Sequence, residues 1–231
     1  MTGNIRVFAA GGCGSNIGKQ LIAEKMVSQS YPGFATIEVA FLDTSDSNLR
    51  NVNPELVHLI ENRDGSGKMR TTNVDEISRQ VRSILQKFSP MDLNIVISSA
   101  SGGSGSVFAP LVVQELLNED KLTVVILIGS TDSVIEHQNT VKTIMSMESM
   151  SLRTKKPVPV IYFQNETDLS RSAINNEVLK TIAYLAILFS RQNEELDSAD
   201  LQNFLYYDRV STLPPRLVGL EINVGTKPIT G

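Results

Sequence analysis

At 231 residues, with 41% hydrophobic and 20% charged side chains, the chain has the composition of a soluble globular protein and the length for one large domain, or one with part of a second. A formal charge of −4 and an isoelectric point near 5.3 argue against general affinity for a DNA or RNA backbone. No apolar run is long enough to cross a bilayer, the N-terminus has no signal-peptide core, and the single cysteine, Cys13, has no partner for an internal disulfide, so a cytoplasmic protein without membrane contact is expected.

Strand and helix signals alternate along the chain. The apolar run Arg6–Ala10 reads as a buried strand and leads through Gly11-Gly12-Cys13-Gly14-Ser15-Asn16 into a helical pattern over Asn16–Val27. Further strands are expected at Ile37–Leu42, Leu93–Ser98, Leu122–Ile128 and Val158–Phe163, several bounded by turn residues. Helices are expected at Val74–Lys87, Ser106–Leu117 and Ser133–Met150, with Pro110 in the first turn of its helix, where its missing N–H costs little. Beyond Phe163 one long helix, Ser172–Arg191, carries the apolar stripe Ile174, Val178, Ile182, Leu185 and Phe189. An acidic stretch runs on to Asp200, followed by a short helix over Leu201–Tyr206, a turn at Pro214-Pro215 and a last strand over Arg216–Val224. This rhythm predicts a doubly wound α/β fold, a mostly parallel sheet with helices on both faces, whose ligands bind at the carboxyl ends of the strands.

Two glycine-rich turns fall at such ends. The first is Gly11–Asn16; the second is Ser101-Gly102-Gly103-Ser104-Gly105-Ser106, after Ile95-Val96-Ile97. Each brings backbone N–H groups to a helix N-terminus, whose dipole favours an anion. Gly12-x-Gly14-x-x-x-Gly18, with Asp43 ending the next strand, also suits a dinucleotide fingerprint. The second turn favours a mononucleotide triphosphate, because three phosphates need more donors than one loop supplies. A flexible Ser/Gly linker suits this position poorly, since it lies between a strand and a helix. Asn165 and Asn176 each offer a donor and an acceptor, which fits the N1–H, N2–H and O6 edge of guanine. Taken singly, they read as a turn residue and a solvent-facing helix position.

The stretch Val7-Phe8-Ala9-Ala10-Gly11-Gly12-Cys13-Gly14-Ser15-Asn16-Ile17-Gly18 resembles the first phosphate loop of the tubulin/FtsZ superfamily, and its Cys-Gly pair is similar to tubulin itself. Ser101–Ser106 resembles that family's signature loop, G-G-G-T-G-[ST]-G, with serine for the first glycine and the threonine, and Val107 for the last glycine. In the same order, Asp43-Thr44-Ser45 resembles the second loop and Gly65-Ser66-Gly67 the third, which follows the γ-phosphate. Ser130-Thr131-Asp132-Ser133 matches the fifth loop poorly, with Glu136 just beyond it placed for a ribose hydroxyl. Gln164-Asn165-Glu166 and Asn175-Asn176-Glu177-Val178-Leu179-Lys180 resemble the segments that supply the guanine-reading asparagines, here Asn165 and Asn176.

The resemblance therefore implies GTP or GDP bound by Gly11, Gly12, Cys13, Gly14, Asn16, Asp43, Thr44, Gly65, Ser66, Gly67, Ser101, Gly102, Gly103, Ser104, Gly105, Ser106, Glu136, Asn165 and Asn176, with Mg²⁺ arriving only through the nucleotide. Asp197-x-x-Asp200 resembles the family's catalytic loop, N-x-D-x-x-D, with Glu195 where the asparagine normally stands. In that family the loop enters the site of the next subunit, which implies a GTPase that assembles with itself head to tail into filaments. An aspartate that orients a water supplies what phosphoryl transfer needs beyond electrostatic clamping. The same acids also read as a helix cap, with Asp197 or Ser198 at N-cap and Asp200 in the first turn, and both readings can hold together.

Cys13 reads as a small packed residue under the phosphate, and His58 and His137, with no acid at motif spacing, read as surface residues. No Cys/His cluster suggests a structural metal. Three segments are expected: a GTP-binding domain over 1–170, a central helix over 171–192, and a catalytic loop with the start of a second domain over 193–231. Only 31 residues follow Asp200, where the family adds a much longer α+β domain, so that domain is expected to be largely absent. The divergent loops resemble a phage- or plasmid-encoded member working in a bacterial cytoplasm, including that of a phage-infected host. The competing readings are a Rossmann-type NAD- or SAM-binding enzyme and a nucleotide-binding interaction protein without turnover.

Overall fold

The computed structural model describes residues 3–27, 33–60, 67–165, 170–192 and 196–222. Its parallel strands are β1 (Asn4–Ala10), β2 (Thr36–Asp43), β3 (Val57–Leu59), β4 (Leu93–Ser99), β5 (Thr123–Ser130), β6 (Val158–Asn165) and β7 (Leu217–Gly219). Among the described residues they form one sheet in the order β3-β2-β1-β4-β5-β6-β7. The helices are α1 (Gly11–Ala23), α2 (Val74–Lys87), α3 (Gly105–Asn118), α4 (Val134–Thr154), α5 (Arg171–Leu188) and α6 (Ser198–Leu205).

The chain steps one way from β1 to β2 and the other way from β4 to β5. Right-handed crossovers then put α1 and α3 on opposite faces of the sheet. In agreement, α1 packs against α5, while α2 packs on α3 and α3 on α4. The strands that lie deepest are apolar on both faces, and every residue of β5 is buried. Helix α3 is buried almost all round, from Gly105 through Pro110 to Leu117, because α2 and α4 flank it. Helix α2 instead shows one stripe, Ile77, Val81, Ile84 and Leu85, at helical spacing.

Most element boundaries lie within a few residues of the sequence reading, but α1 runs Gly11–Ala23 rather than Asn16–Val27, so the first glycine turn forms its opening turn, and three further differences stand out. Pro110 lies in the second turn of α3, because the helix begins at Gly105, so its place there removes an internal hydrogen bond. The edge strand β3 has no sequence signal: three half-buried residues, Val57-His58-Leu59, are too short for a period to show. The last strand is confined to Leu217–Gly219, where it pairs with Val158–Val160; Asn223 and Val224 lie outside the described residues. His58 is half-buried against Gln80, at 2.8 Å, rather than at the surface, and burial lowers its pKa.

Candidate functional site

The order reverses between β1 and β4, so the crevice at their carboxyl ends is the topological switch point, where open α/β sheets bind ligands. Both glycine turns sit there. A cleft of about 320 Å³ is lined by Gly12, Cys13, Asn16, Lys68, Ser99, Ser101, Gly102, Ile128, Gly129, Ser130, Glu136, Asn165, Arg171, Ile174 and Asn175. A smaller lobe of about 170 Å³ shares Gly12, Cys13, Ser99 and Gly102 with it and adds Ala10, Gly11, Asp43, Ser45, Asn48, Gly103, Ser104 and Gly105. The shared residues make the two lobes one continuous site.

The glycines of the small lobe do different work. Gly11 has a left-handed φ of 69°, and a Cβ on it would meet the backbone N of Gly105 at 2.7 Å. Gly105 returns the contact: its Cβ would meet the carbonyl O of Ala10 at 2.7 Å. The two helix N-termini therefore approach backbone to backbone. Gly12 and Gly102 line the cleft, where a Cβ would meet only the Asn48 side chain at 3.1 Å and the Ser99 side chain at 3.5 Å. Gly14 is different. It lines neither lobe, and its Cβ would strike Ile97 O at 2.6 Å and Ala9 C at 2.8 Å, so it serves the packing of α1 on β1 and β4.

Hydroxyls and amides hold the second turn. Ser99 Oγ accepts from Ser101 N at 3.2 Å and Gly102 N at 3.1 Å. Ser106, buried, donates its hydroxyl to Gly102 O at 2.7 Å and Gly103 O at 2.8 Å. Thr44, also buried, ties the second loop to the signature loop through Ser104 Oγ at 2.6 Å. Asp43 lines the small lobe, but its carboxylate is already engaged with Thr44 N, Ser45 N and Asn48 Nδ2 at 2.7, 3.3 and 2.9 Å. Burial raises its pKa against those three donors, and it holds the loop rather than reaching outwards.

A polar row on α4 does the same from the other side. Asn139 donates to Lys68 O at 2.8 Å and Ser101 O at 3.2 Å, and Thr143 donates to Ala100 O at 2.8 Å. Lys68 in turn pairs with Glu136 at 2.8 Å, and that contact, with a bond from Ser133, holds the Glu136 carboxyl below the usual range. Burial pushes the Cys13 thiol up to about 11, with Arg171 pulling the other way, so this wall of the cleft carries no thiolate near neutrality. Among the described residues, the lining of the large lobe holds two cations, Lys68 and Arg171, against one carboxylate, Glu136, which suits an anionic ligand.

Of the residues read from the sequence, Gly11, Gly12, Cys13, Asn16, Asp43, Ser101, Gly102, Gly103, Ser104, Gly105, Glu136 and Asn165 line one lobe or the other. Gly14, Thr44 and Ser106 stand behind the wall. Gly67 is exposed and borders neither lobe, and Gly65 and Ser66 lie outside the described residues. Asn176 is exposed and borders neither lobe; its neighbour Asn175 is half-buried in the large one. The core stripe Ile174–Val178 decides this: at about 100° per residue, Asn176 points away from it while Asn175 sits on its flank. Asp197 and Asp200 line neither lobe and form a capping box on α6, with Asp197 Oδ1 accepting from Ala199 N and Asp200 N at 2.7 and 2.9 Å and Asp200 Oδ2 accepting from Asp197 N at 3.2 Å. Sequence reasoning missed Lys68, Arg171, Asn175 and Asn139; for Asn139 the signal was present, as Asn139, Thr143 and Met147 repeat every fourth residue on the buried row of α4.

The model of the tubulin/FtsZ family, GTPase domain, matches residues 4–166, a stretch that holds both glycine turns and Asn165. The chain belongs to the tubulin/FtsZ family. It is 27% identical over 230 residues to the phage tubulin-like protein of Pseudomonas phage phiKZ, with 94% of this chain and 67% of the relative aligned. The protofilament of TubZ from bacteriophage PhiKZ superimposes with a TM-score of 0.83 at 28% identity, over 93% of this chain and 66% of that one. The GDP complex of the phage tubulin PhuZ superimposes with a TM-score of 0.81 at 26% identity, over 93% and 66%. The chain thus spans about two thirds of the length of these tubulin relatives. Among the described residues, no helix is long and apolar enough to cross a membrane.

Proposed function

We propose that this chain binds GTP and GDP in the two-lobed cleft and hydrolyses GTP in head-to-tail filaments of itself, in the cytoplasm of a bacterial cell. The observation that carries the reading is a phosphate-sized lobe walled by two helix N-termini, continuous with a larger lobe that presents Asn165 and Asn175 together. The cradle fits a polyphosphate: Gly12 and Gly102 leave the backbone bare, and Gly11 and Gly105 bring α1 and α3 close enough to offer N–H groups from both. Asn165, ending β6, and Asn175, opening α5, present amide donors and acceptors to a guanine edge, in place of the Asn165–Asn176 pair. Among the described residues no His, Cys, Asp and Glu group of three or more could hold a metal, so Mg²⁺ belongs with the nucleotide, where it would neutralise phosphate charge.

The Rossmann dehydrogenase reading loses its ribose acid, because Asp43 is engaged with its own loop. That the phiKZ relative's structure is a protofilament supports self-assembly, and the GDP complex of PhuZ supports the nucleotide. Asp197 and Asp200 lie beyond the 18 residues of α5, roughly 27 Å at 1.5 Å per residue, which favours their acting on the nucleotide of a neighbouring copy. The capping box then fixes where the acids point. The segments 1–170, 171–192 and 193–231 divide these roles into pocket, spacer and supplied loop.

The test is direct. Nucleotide released by denaturing the purified protein is expected to be guanine-based, and GTP is expected to compete well ahead of ATP or NAD. Turnover per molecule should rise with protein concentration, and Asp200→Ala should bind GTP without hydrolysing it. Mixing Asp200→Ala with a Gly12→Val pocket variant should restore some turnover. A specific rate that stays flat with concentration overturns the shared site.

A further inference from the structure

Helix α6, which carries Asp197 and Asp200 at its start, is fastened at its other end. Tyr206 closes the helix and is the largest of the fully buried side chains among the described residues, at 1% exposure. Its hydroxyl donates to Lys121 O at 2.5 Å, on the turn between α3 and β5. Burial raises the pKa of the phenol, so it stays protonated and able to donate. The turn it grips is fixed in its own right. Asp120 has a left-handed φ of 58°, Asp120 N donates to Leu117 O at 3.1 Å, and Lys121 N donates to Leu116 O at 2.9 Å. Arg209 lies 4.9 Å from the centre of the Tyr206 ring and donates to Asp120 Oδ1 at 3.1 Å. Lys156, just past α4, pairs with the same carboxylate. The ends of α3, α4 and α6 thus meet at one junction.

Leu201 and Leu205 already bury the inner side of α6, but apolar burial has no direction and leaves a short helix free to slide. The phenol hydrogen bond is directional and sets α6 against one carbonyl. That carbonyl follows α3, the helix whose first residue, Gly105, belongs to the cradle, 14 residues and roughly 21 Å away. One rod therefore carries the chain's own pocket at its start and the mount of its acid loop at its end. In a head-to-tail polymer that span has to match the repeat between copies. We propose that Tyr206, steadied by Asp120 and Arg209, is a positioning residue for GTP hydrolysis: it sets α6 at a fixed distance from the cradle, so that Asp197 and Asp200 reach the nucleotide of a neighbouring copy. This rests on the shared-site reading above.

The experiment uses the full chain and Tyr206→Phe, which keeps the buried ring and deletes only the bond to Lys121 O. The variant should bind GTP as the unaltered chain does and sediment with GTP to the same extent, while turnover per sedimented copy falls about tenfold. Mixing it with Gly12→Val should restore turnover, since one supplies a pocket and the other a loop. Mixing it with Asp200→Ala should not, since neither then offers a working loop. Asp120→Asn, at the surface, keeps a residue that tolerates the left-handed turn and weakens the hold of Lys156 and Arg209. It should show the same pattern to a smaller degree, and it decides the matter where Tyr206→Phe does not fold. Unchanged turnover per sedimented copy in the folded variants, or a loss of GTP affinity that accounts for the lost turnover, overturns the positioning role and leaves the shared site intact. Full turnover in Asp200→Ala, or none in the unaltered chain, overturns the shared site as well.

Discussion

The two glycine turns occupy equivalent places at the ends of β1 and β4, yet they are held by opposite means. The first is closely packed because side chains are missing: Gly14 lets α1 settle on the backbone of Ala9 and Ile97, and Gly11 lets it approach Gly105. The second is tied by side chains that are present, with Ser99, Ser106, Thr44 and the α4 residues Asn139 and Thr143 each bonding into or beside the loop. The serines of the second turn take part in this: Ser101 Oγ bonds Ser99 Oγ at 2.9 Å, and Ser104 Oγ bonds Thr44 Oγ1 at 2.6 Å. In the second turn, small hydroxyls add to the backbone contact that Gly105 makes with Ala10.

Substitutions can break or sharpen that contrast. The largest effect is expected at Gly14→Val, whose side chain would have to enter the backbone of two strands; a loss of more than about 3 kcal/mol in urea unfolding is expected, and near-wild-type stability would end the packing account of the first turn. Asn139→Leu leaves the carbonyls of Lys68 and Ser101 without their donor, so a loss of about 1–3 kcal/mol is expected, together with weaker GTP binding by calorimetry. Gly12→Ala tests the same turn from its open side. The Asn48 amide opposes the new methyl and must shift against its bond to Asp43, so a loss of about 1 kcal/mol is expected while GTP affinity falls about tenfold or more. Ser106→Ala removes a hydroxyl bonded within its own loop and should cost about 1 kcal/mol, with a smaller change in affinity.

The smallest effect concerns acidity. The Cys13 thiol titrates at about 11 in the folded chain against 9.0 as a free side chain, so the native state holds its proton more tightly than the unfolded one. Through this group stability is unchanged below pH 9.0 and falls as pH rises from there towards about 11. Native alkylation by iodoacetamide should accordingly be slower at pH 8 than alkylation of the unfolded chain; an equally fast native reaction at pH 8 would contradict the raised thiol pKa.

Much of this architecture was legible because its signals are local. Buried parallel strands are continuous apolar runs, α2 and α5 have stripes at helical spacing, and glycines between strand and helix mark where backbones line the cleft. The capping of α6 was equally local, since Asp197 and Asp200 need only three residues of chain to bond each other. What escaped was whatever required knowing which side of an element faces the cleft. Asn175 and Asn176 are chemically identical neighbours, and only the packing of Ile174 and Val178 chooses between them. Gly14 and Gly12 share one motif, but the strands behind them make one a packing residue and the other a cleft wall. Lys68, Arg171 and Asn139 come from three segments far apart in sequence that meet only once the sheet is wound. The sequence by itself determined the elements, their order and the chemistry of the turns, because propensity, periodicity and capping act over a few residues. Tertiary structure alone decided which amide, which cation and which glycine face the cleft, because those choices depend on contacts between segments that local signals do not encode.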